Sequence, residues 1–269
     1  MKTLIYQYWD GDMTPGNAAG SRLMKEYANR IGSNYIFEHN PRWQKNLGPY
    51  SPHYGAFKPI FDEEMQGYDY VLFADTDVIP VDKLSENIFE YFDDQEGDSY
   101  DIGICEEHLA SRTRLKTKFH INNTNDERWY KVIESKYRCK LRRDAHGLPM
   151  VINSGVVVYS SFGMQKFRER HLHFREYQQL MVKHRFPIFY QCDQPYLQFM
   201  VEYCDLDCKI MDYRWNSSVH YKPDTKGDNR PVNDFRFDRA NFVHIQLRGA
   251  DHFDFDKTKR VANQPVNEW

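Results

Sequence analysis

The sequence predicts an α/β domain with a mainly parallel, Rossmann-like central sheet flanked by helices. Apolar, strand-like runs alternate with stretches of helical periodicity along the first hundred residues, and this alternation is typical of doubly wound sheets. Short polar motifs stand directly after several of the apolar runs, at the carboxyl ends of strands, where such sheets bind ligands. A length of 269 residues allows one large domain.

The first half of the chain supplies the alternation. The run "TLIYQYW" (3–9) predicts the first strand, and the pattern after it predicts a helix from Ala18 to Ile31 with Asn17 as its cap. The following predicted elements are a strand at "NYIFEH", a helix at "GAFKPIFDEEMQ", a strand at "YDYVLFAD" and a fourth strand at "DIGIC" (101–105).

The second half begins with an irregular segment. Residues 108–147 are polar and lack a clean period, so we interpret them as an excursion with some helix near "ERWYKVIESKYR". Further on, the patterns predict strands at 149–160 and 241–247 and helices at 161–184 and 190–204, the last opened by Asp193. No repeat or Pro/Ser-rich linker interrupts the chain, which favours a single domain. Its predicted parts are a first half (1–105), the excursion (106–148), a second half (149–250) and a tail (251–269).

Composition argues against several classes of protein. A net charge of −3 does not suit general nucleic-acid binding, which requires many neutralised phosphates. No apolar run approaches the roughly 20 residues of a transmembrane helix, and the amino terminus enters a strand-like pattern instead of a signal peptide. We therefore expect a cytoplasmic protein with reduced thiols, since its five cysteines include no Cys-x-x-Cys pair.

The stretch "VLFADTDVIP" (71–80) places Asp75 and Asp77 at the exit of an apolar strand. One interpretation is structural, because Asp commonly forms the turn that ends a strand. The other is chemical, because two carboxylates at a strand's carboxyl end can hold a divalent cation against a phosphate. The motif alone does not decide between them.

Four further stretches accompany this motif in a particular order. They are "HYGAFKP" before the strand, "INSGVVVY" after the excursion, "CDQPYLQ" on a later helix and "VHIQLRG" near the carboxyl terminus. Together with the Asp-x-Asp motif they resemble glycosyltransferases of the GT-A fold, especially the retaining glycogenin-like and galactosyltransferase-like families. The resemblance spans most of the chain, and the Asp-x-Asp, Asn-Ser-Gly and Asp-Gln elements match most closely.

The resemblance implies a metal site and a nucleotide-sugar donor. Asp75 and Asp77 would bind Mn²⁺ or Mg²⁺, with His244 as the third protein ligand. An imidazole ligand favours manganese. A lone strand histidine is otherwise commonly a structural residue. By the same resemblance, residues 1–105 would bind the nucleotide sugar, which we expect to be a uridine diphosphate sugar, and residues 149–250 would bind the acceptor and carry catalysis.

The donor would lie along the first loop and the Asp-x-Asp motif. Here Tyr8 or Trp9 would stack on the base and Asp10 would bond it, while Lys58 matches a basic residue that the family places near the donor. The chain departs from the family after His244, where the expected lysine is missing and Arg248 or Lys257 is the alternative cation. The residues implied in donor binding are Tyr6, Tyr8, Trp9, Asp10, Lys58, Asp75, Thr76, Asp77, Arg248 and Gly249.

The residues implied in catalysis are Asp193, Gln194, Asn153 and Lys58. Asp193 and Gln194 resemble a pair that lies beside the anomeric carbon and the acceptor, although Asp193 would also serve as a helix cap. The implied reaction is sugar transfer to a hydroxyl of a glycan, protein or lipid-linked acceptor, with retention of configuration. The basic segment from Glu107 to Gly147, with eleven Lys or Arg and five Asp or Glu, is a candidate for acceptor contact.

Two alternatives remain at this stage. A haloacid-dehalogenase-like phosphatase also uses an Asp-x-Asp after an apolar strand, with the first Asp as nucleophile, but that family normally opens with this strand. A sugar- or nucleotide-binding module with the same fold and no turnover is the other alternative, and the irregular "HIQLRG" run favours it.

Overall fold

The computed structural model describes residues 1–93, 100–107, 122–221, 231–233, 239–247 and 249–264. The strands within these ranges are β1 (Thr3–Trp9), β2 (Asn34–His39), β3 (Tyr70–Ala74), β4 (Val78–Pro80), β5 (Ile102–Glu106), β6 (Ile152–Ser160), β7 (Cys208–Met211), β8 (Ser217–Tyr221), β9 (Pro231–Asn233) and β10 (Phe242–Gln246). The α-helices are α1 (Pro15–Arg30), α2 (Lys58–Phe61), α3 (Ile88–Phe92), α4 (Asn123–Tyr137), α5 (Ser161–Arg170), α6 (Phe174–Lys183), α7 (Asp193–Tyr203) and α8 (Phe255–Asn263). Short 3₁₀ helices occupy Gly48–Phe57, Ile188–Gln191, Tyr213–Trp215 and Ala250–His252.

Two sheets position the functional residues. The larger has the strand order β2-β1-β3-β6-β5-β7, and all its strands run in one direction except β6, which is antiparallel to β3 and β5. The smaller has the order β4-β10-β8-β9. The predicted α/β class with a mainly parallel sheet is therefore confirmed.

The core lies on both faces of the larger sheet. Alternate residues of β1 separate into two clusters, with Leu4 and Tyr6 on one face and Ile5 on the other, as the two-residue period of a strand requires. All three side chains are fully buried. In the described part of the chain, none of the helices has the length and apolarity needed to cross a membrane.

The start of α1 differs from its prediction. The helix begins at Pro15, and Thr14 is its cap: the Thr14 Oγ1 atom accepts a hydrogen bond from the Asn17 backbone N–H at 3.3 Å. Proline suits the first helical position because its missing N–H would have no partner there. Asn17, the expected cap, instead lies in the first turn and accepts a hydrogen bond from the Thr76 hydroxyl at 2.7 Å.

The single helix predicted over 161–184 is two helices. The chain is extended at His171 (ψ 145°), which ends α5. His173 then caps α6, with its Nδ1 accepting from the Arg175 backbone N–H at 3.2 Å. The apolar spacing continues across this break, so periodicity alone did not reveal it.

Of three other segments, two differ from their predictions and one agrees. The helix expected at 55–66 is the end of a 3₁₀ helix followed by the single turn of α2. The described part of the excursion contains the helix expected near "ERWYKVIESKYR": this is α4, whose Trp129, Tyr130 and Ile133 join the main core. Residues 108–121 lie outside the described residues. The expected tail contains α8, which lies against α1.

Gly20 allows α1 to approach the Asp-x-Asp turn. A Cβ atom at this position would lie 1.7 Å from the Thr76 carbonyl oxygen. Alanine normally favours a helix interior by about 1 kcal/mol over glycine, but here we expect Gly20→Ala to lower the free energy of unfolding by about 1–3 kcal/mol. Denaturant titration measures this. Gly67→Ala is the control, since its Cβ would meet nothing closer than the Lys2 Nζ atom at 3.5 Å; equal stabilities of the two variants would contradict the expected close approach.

Candidate active site

A cavity of about 400 Å³ opens at the carboxyl ends of β1 and β3. Six of the residues predicted to bind the donor line it, together with four that the sequence analysis did not select as site residues. The predicted residues are Tyr8, Trp9, Asp10, Asp75, Thr76 and Asp77, and the others are Asn17, Pro52, His53 and Asp251. The topology explains this clustering, because β1 and β3 are parallel neighbours whose ends share one edge.

The Asp-x-Asp turn is held by backbone and side-chain contacts. The Asp75 N–H donates to the Gly155 carbonyl at 2.8 Å, and the Asp75 carbonyl accepts from the buried Gln7 side chain at 2.9 Å. The Tyr35 hydroxyl in turn donates to Gln7 Oε1 at 2.9 Å. These contacts fix the turn while the Asp77 carboxylate stays partly exposed.

The smaller sheet brings His244 to the same turn. Strand β4 starts directly after Asp77 and pairs antiparallel with β10, which aligns His244 with Val78. The Ile245 N–H donates to the Asp77 carbonyl at 2.9 Å. As a result His244 Nε2 lies 3.3 Å from Asp77 Oδ1.

Asp75, Asp77 and His244 form a candidate metal site. Each offers one ligand atom, and these atoms all lie within 4.8 Å of one another. His244 is buried, and its Nδ1 is 3.0 Å from Asn216 Oδ1. Two hard carboxylate oxygens and one imidazole nitrogen form a donor set that fits Mn²⁺.

The electrostatics of this cluster favour a cation. Burial, and then repulsion from the Asp77 carboxylate, raise the pKa of Asp75 to about 7. Burial lowers the pKa of His244, but the Asp77 carboxylate outweighs burial and raises that pKa to about 8. The Asp75 carboxylate thus lies at a position where its negative charge is costly unless positive charge accompanies it.

The antiparallel strand β6 brings the Asn-Ser-Gly motif beside the Asp-x-Asp turn. A Cβ at Gly155 would lie 2.6 Å from His244 Cε1 and 3.0 Å from Asp75 Oδ2. Glycine is therefore required for these two side chains to approach each other. Asn153 Oδ1 accepts from the Gly155 N–H at 2.8 Å, so this side chain supports the motif from within.

Asp193 stands at the start of α7 and contacts the same strand. The Ser154 hydroxyl donates to Asp193 Oδ2 at 2.7 Å, and His53 Nδ1 lies 3.6 Å from Asp193 Oδ1. The carboxylate is also close enough to Asp75 to contribute to raising its pKa. Asp193 is not the helix cap, since that position is Cys192.

Several predicted site residues lie in other surroundings. Lys58 Nζ is paired with Glu38 and, at 3.3 Å, with Asp62, and the Tyr6 hydroxyl donates to Glu38 at 2.6 Å. The described residues that were predicted for the site but are not among those lining the cavity are Tyr6, Lys58, Asn153, Asp193, Gln194, His244 and Gly249. The Gln194 amide donates to Glu107 at 2.9 Å.

The carboxyl-terminal candidates are only partly described. Gly249 has a positive φ of 83° and precedes the 3₁₀ turn that carries Asp251 to the cavity wall. Arg248 lies outside the described residues. Lys257 Nζ lies over the Phe253 ring, 4.0 Å from its centroid.

Sequence reasoning missed five polar residues of the site, which are Gln7, Asn17, His53, Asn216 and Asp251. Asn17 was expected only as a helix cap. His53 is inside the quoted stretch "HYGAFKP", but its isolated ring gave no metal or catalytic spacing. Gln7, Asn216 and Asp251 are scattered along the chain, and only tertiary contacts reveal them. Asp-x-Asp spacing, in contrast, is visible within three residues.

Comparison with known proteins extends the description of the fold. No protein-family model matches the sequence, and no curated protein matches it significantly. Among solved structures, the galactosyltransferase LgtC in complex with donor and acceptor sugar analogs is 14% identical over 96% of this chain and 95% of its own, with a TM-score of 0.52. A glycosyltransferase involved in glycosylation of the major capsid of PBCV-1 is 12% identical over 97% of this chain and 98% of its own, with a TM-score of 0.49. Mouse xyloside xylosyltransferase 1 is 14% identical over 81% of this chain and 88% of its own, with a TM-score of 0.46.

The chain has the GT-A glycosyltransferase fold. The similarity to the galactosyltransferase structure extends over nearly the whole of both chains, and the Asp75, Asp77 and His244 group lies where the sequence resemblance implied a metal site. The fold predicted from the sequence motifs is therefore confirmed.

Proposed function

We propose that this protein is a metal-dependent glycosyltransferase that moves a sugar from a uridine diphosphate sugar to a hydroxyl acceptor with retention of configuration. The observation that carries the proposal is the convergence of Asp75, Asp77 and His244 beside a cavity of about 400 Å³. This volume lies within the range of small-molecule sites. The GT-A fold supports the proposal, and it does not favour the phosphatase alternative.

Asp75, Asp77 and His244 would hold Mn²⁺ in this proposal. Bound there, the cation would neutralise charge on the nucleoside diphosphate leaving group. The chain's own residues shape the rest of the site. The Tyr8 ring is fixed by its hydroxyl, which donates to the Pro52 carbonyl at 2.7 Å, and by its contact with Gly55, where a Cβ would lie 2.5 Å from the ring. It therefore presents a rigid aromatic wall to the donor.

Asp193 is the proposed partner of the sugar and the acceptor. Its two carboxylate oxygens face Ser154 and His53, so the group is held in one orientation near the metal ligands. From this position it would accept a hydrogen bond from the acceptor hydroxyl or balance positive charge at the anomeric carbon. His53, which lines the cavity, would add positive charge on the side of Asp193.

A binding and turnover experiment tests the proposal. Calorimetry would measure uridine diphosphate affinity with and without Mn²⁺, and a panel of nucleotide sugars would be assayed for donor hydrolysis and transfer, with the product anomer read by NMR. We expect Mn²⁺-dependent binding and a retained configuration. Binding with neither transfer nor hydrolysis would favour the inactive binding module. Lack of Mn²⁺-dependent binding of any nucleotide sugar would end the proposal.

Removing the Asp193 charge separates chemistry from donor binding. We expect Asp193→Asn to lower kcat roughly 10- to 100-fold, because the acceptor loses its orienting partner, while uridine diphosphate affinity changes little. Steady-state kinetics and calorimetry measure the two effects. Asp205→Asn is the control, since Asp205 lies two residues beyond the end of α7, the helix that Asp193 begins, and its side chain is 89% exposed. An unchanged kcat in Asp193→Asn would remove Asp193 from the mechanism.

A further inference from the structure

A buried chain of amide hydrogen bonds ends on the candidate metal ligand His244. It runs from the Gly155 backbone N–H to Asn153 Oδ1 at 2.8 Å, from Asn216 Nδ2 to the same Asn153 oxygen at 2.9 Å, and from His244 Nδ1 to Asn216 Oδ1 at 3.0 Å. Asn153, Asn216 and His244 are 6%, 6% and 4% exposed. Water therefore does not compete for these contacts.

The first member of the chain fixes the orientation of the others. A backbone N–H can only donate, so the Asn153 atom facing Gly155 must be the amide oxygen. That oxygen can only accept, so Asn216 must turn its NH₂ group toward it. The remaining Asn216 atom, an oxygen acceptor, then faces His244 Nδ1, which must carry a hydrogen.

The consequence falls on the other ring nitrogen. In the neutral imidazole, a hydrogen on Nδ1 leaves the Nε2 lone pair available as a ligand. Nε2 is the atom that lies 3.3 Å from Asp77 Oδ1 and faces the two carboxylates. The buried amides thus select the tautomer that can coordinate a metal.

We propose that Asn216 is a positioning residue for the metal site, which fixes the His244 ring and its metal-binding tautomer through a hydrogen-bond chain anchored on the Gly155 backbone. This inference rests on the proposed function, because it assigns a role toward the same cation. Partners of this kind hold metal-ligating histidines in one orientation, and their loss typically lowers metal affinity about 10- to 100-fold.

The strand arrangement explains why Asn216 reaches this position. It directly precedes β8, which is the parallel neighbour of β10, and His244 pairs with Ser218 in that register. The Asn216 N–H donates to the Tyr213 carbonyl at 2.8 Å, which closes the 3₁₀ turn before the strand. The side chain is therefore directed by a turn and a strand that do not contribute a ligand themselves.

The first test measures Mn²⁺ affinity by calorimetry without any substrate. We expect Asn216→Ala to bind Mn²⁺ about 10-fold or more weakly than the unmodified protein. Asn241→Ala is the matched control. Asn241 directly precedes β10, is 8% exposed, and donates a hydrogen bond from its side-chain amide to Glu86 at 3.1 Å. This control should lose stability to a similar extent and keep its Mn²⁺ affinity.

The second test observes the tautomer directly in the metal-free protein. Long-range ¹H–¹⁵N NMR spectra, recorded well above pH 8 so that the ring is neutral, would be assigned with a His244→Gln variant. We expect hydrogen on Nδ1 in the unmodified protein and a mixture of the two neutral tautomers in Asn216→Ala.

The outcomes separate this inference from the proposed function. If the unmodified protein binds Mn²⁺ and Asn216→Ala binds it equally well, the positioning role is wrong and the metal site stands. Hydrogen on Nε2 in the unmodified protein would also overturn the inference. If the unmodified protein binds Mn²⁺ neither alone nor together with uridine diphosphate, the proposed function itself fails.

Discussion

Replacing Asp77 by asparagine will abolish sugar transfer and weaken Mn²⁺ binding by more than about 100-fold. This loss exceeds the roughly 10- to 100-fold typical of residues that only hydrogen-bond to metal ligands. The physical reason is that the substitution removes one of two anionic ligands and leaves His244 opposite a neutral amide. The fold should persist, because the Asp77 side chain is 42% exposed and its backbone, which bonds Ile245, is unchanged. Transfer is measured at saturating donor, and Mn²⁺ affinity by calorimetry.

Asp82→Asn is the matched control for this substitution. Asp82 lies two residues beyond the end of β4, and its half-exposed carboxylate pairs with Lys259 at 3.1 Å. We expect normal turnover and normal Mn²⁺ affinity in this variant. If Asp77→Asn retained turnover like the control, the metal-dependent mechanism would be abandoned.

Gly155→Ala should weaken metal binding without changing any ligand. The new methyl group would occupy the space now taken by His244 Cε1 and Asp75 Oδ2, 2.6 and 3.0 Å from the Cβ position. Two ligands would have to move apart, so we expect about 100-fold weaker Mn²⁺ binding and a stability loss of about 1–3 kcal/mol. Calorimetry measures the affinity and denaturant titration the stability.

Gly163→Ala separates crowding at the metal site from crowding in general. Gly163 lies three residues beyond the end of β6, the strand that also carries Gly155. A Cβ atom at Gly163 would lie 2.0 Å from the Asp101 carbonyl oxygen. This variant should also lose stability but keep its Mn²⁺ affinity. Equal affinities of Gly155→Ala and Gly163→Ala would contradict the proposed role of Gly155.

Local sequence patterns predicted much of the main sheet. The strands at 3–9 and 34–39 occur with the predicted bounds, because each has a strong local period and a clear turn after it. The short strands β4, β7 and β8 were not predicted. They have three to five residues, and pairing with neighbouring strands stabilises them.

The Asp-x-Asp motif and the carboxyl-end rule together placed Asp75 and Asp77 at the rim of the sheet, and resemblance added His244. The sequence did not indicate that β6 runs antiparallel, which is what sets the Asn-Ser-Gly motif beside Asp75. It also did not indicate that Lys58 pairs with Glu38 and Asp62. Direction and pairing depend on contacts between residues far apart in the chain.

By itself the amino-acid sequence determined the α/β class, through the alternation of strand-like and helical patterns, and the strand that ends in two carboxylates, because these patterns depend on residues close together in the chain. Only the tertiary structure decided that Asp77 and His244, 167 positions apart by subtraction of their numbers, come within 3.3 Å. It also decided that buried amides orient the histidine. Such positions follow from the pairing of β4 with β10 and of β8 with β10, and strand pairing is a property of the folded chain as a whole.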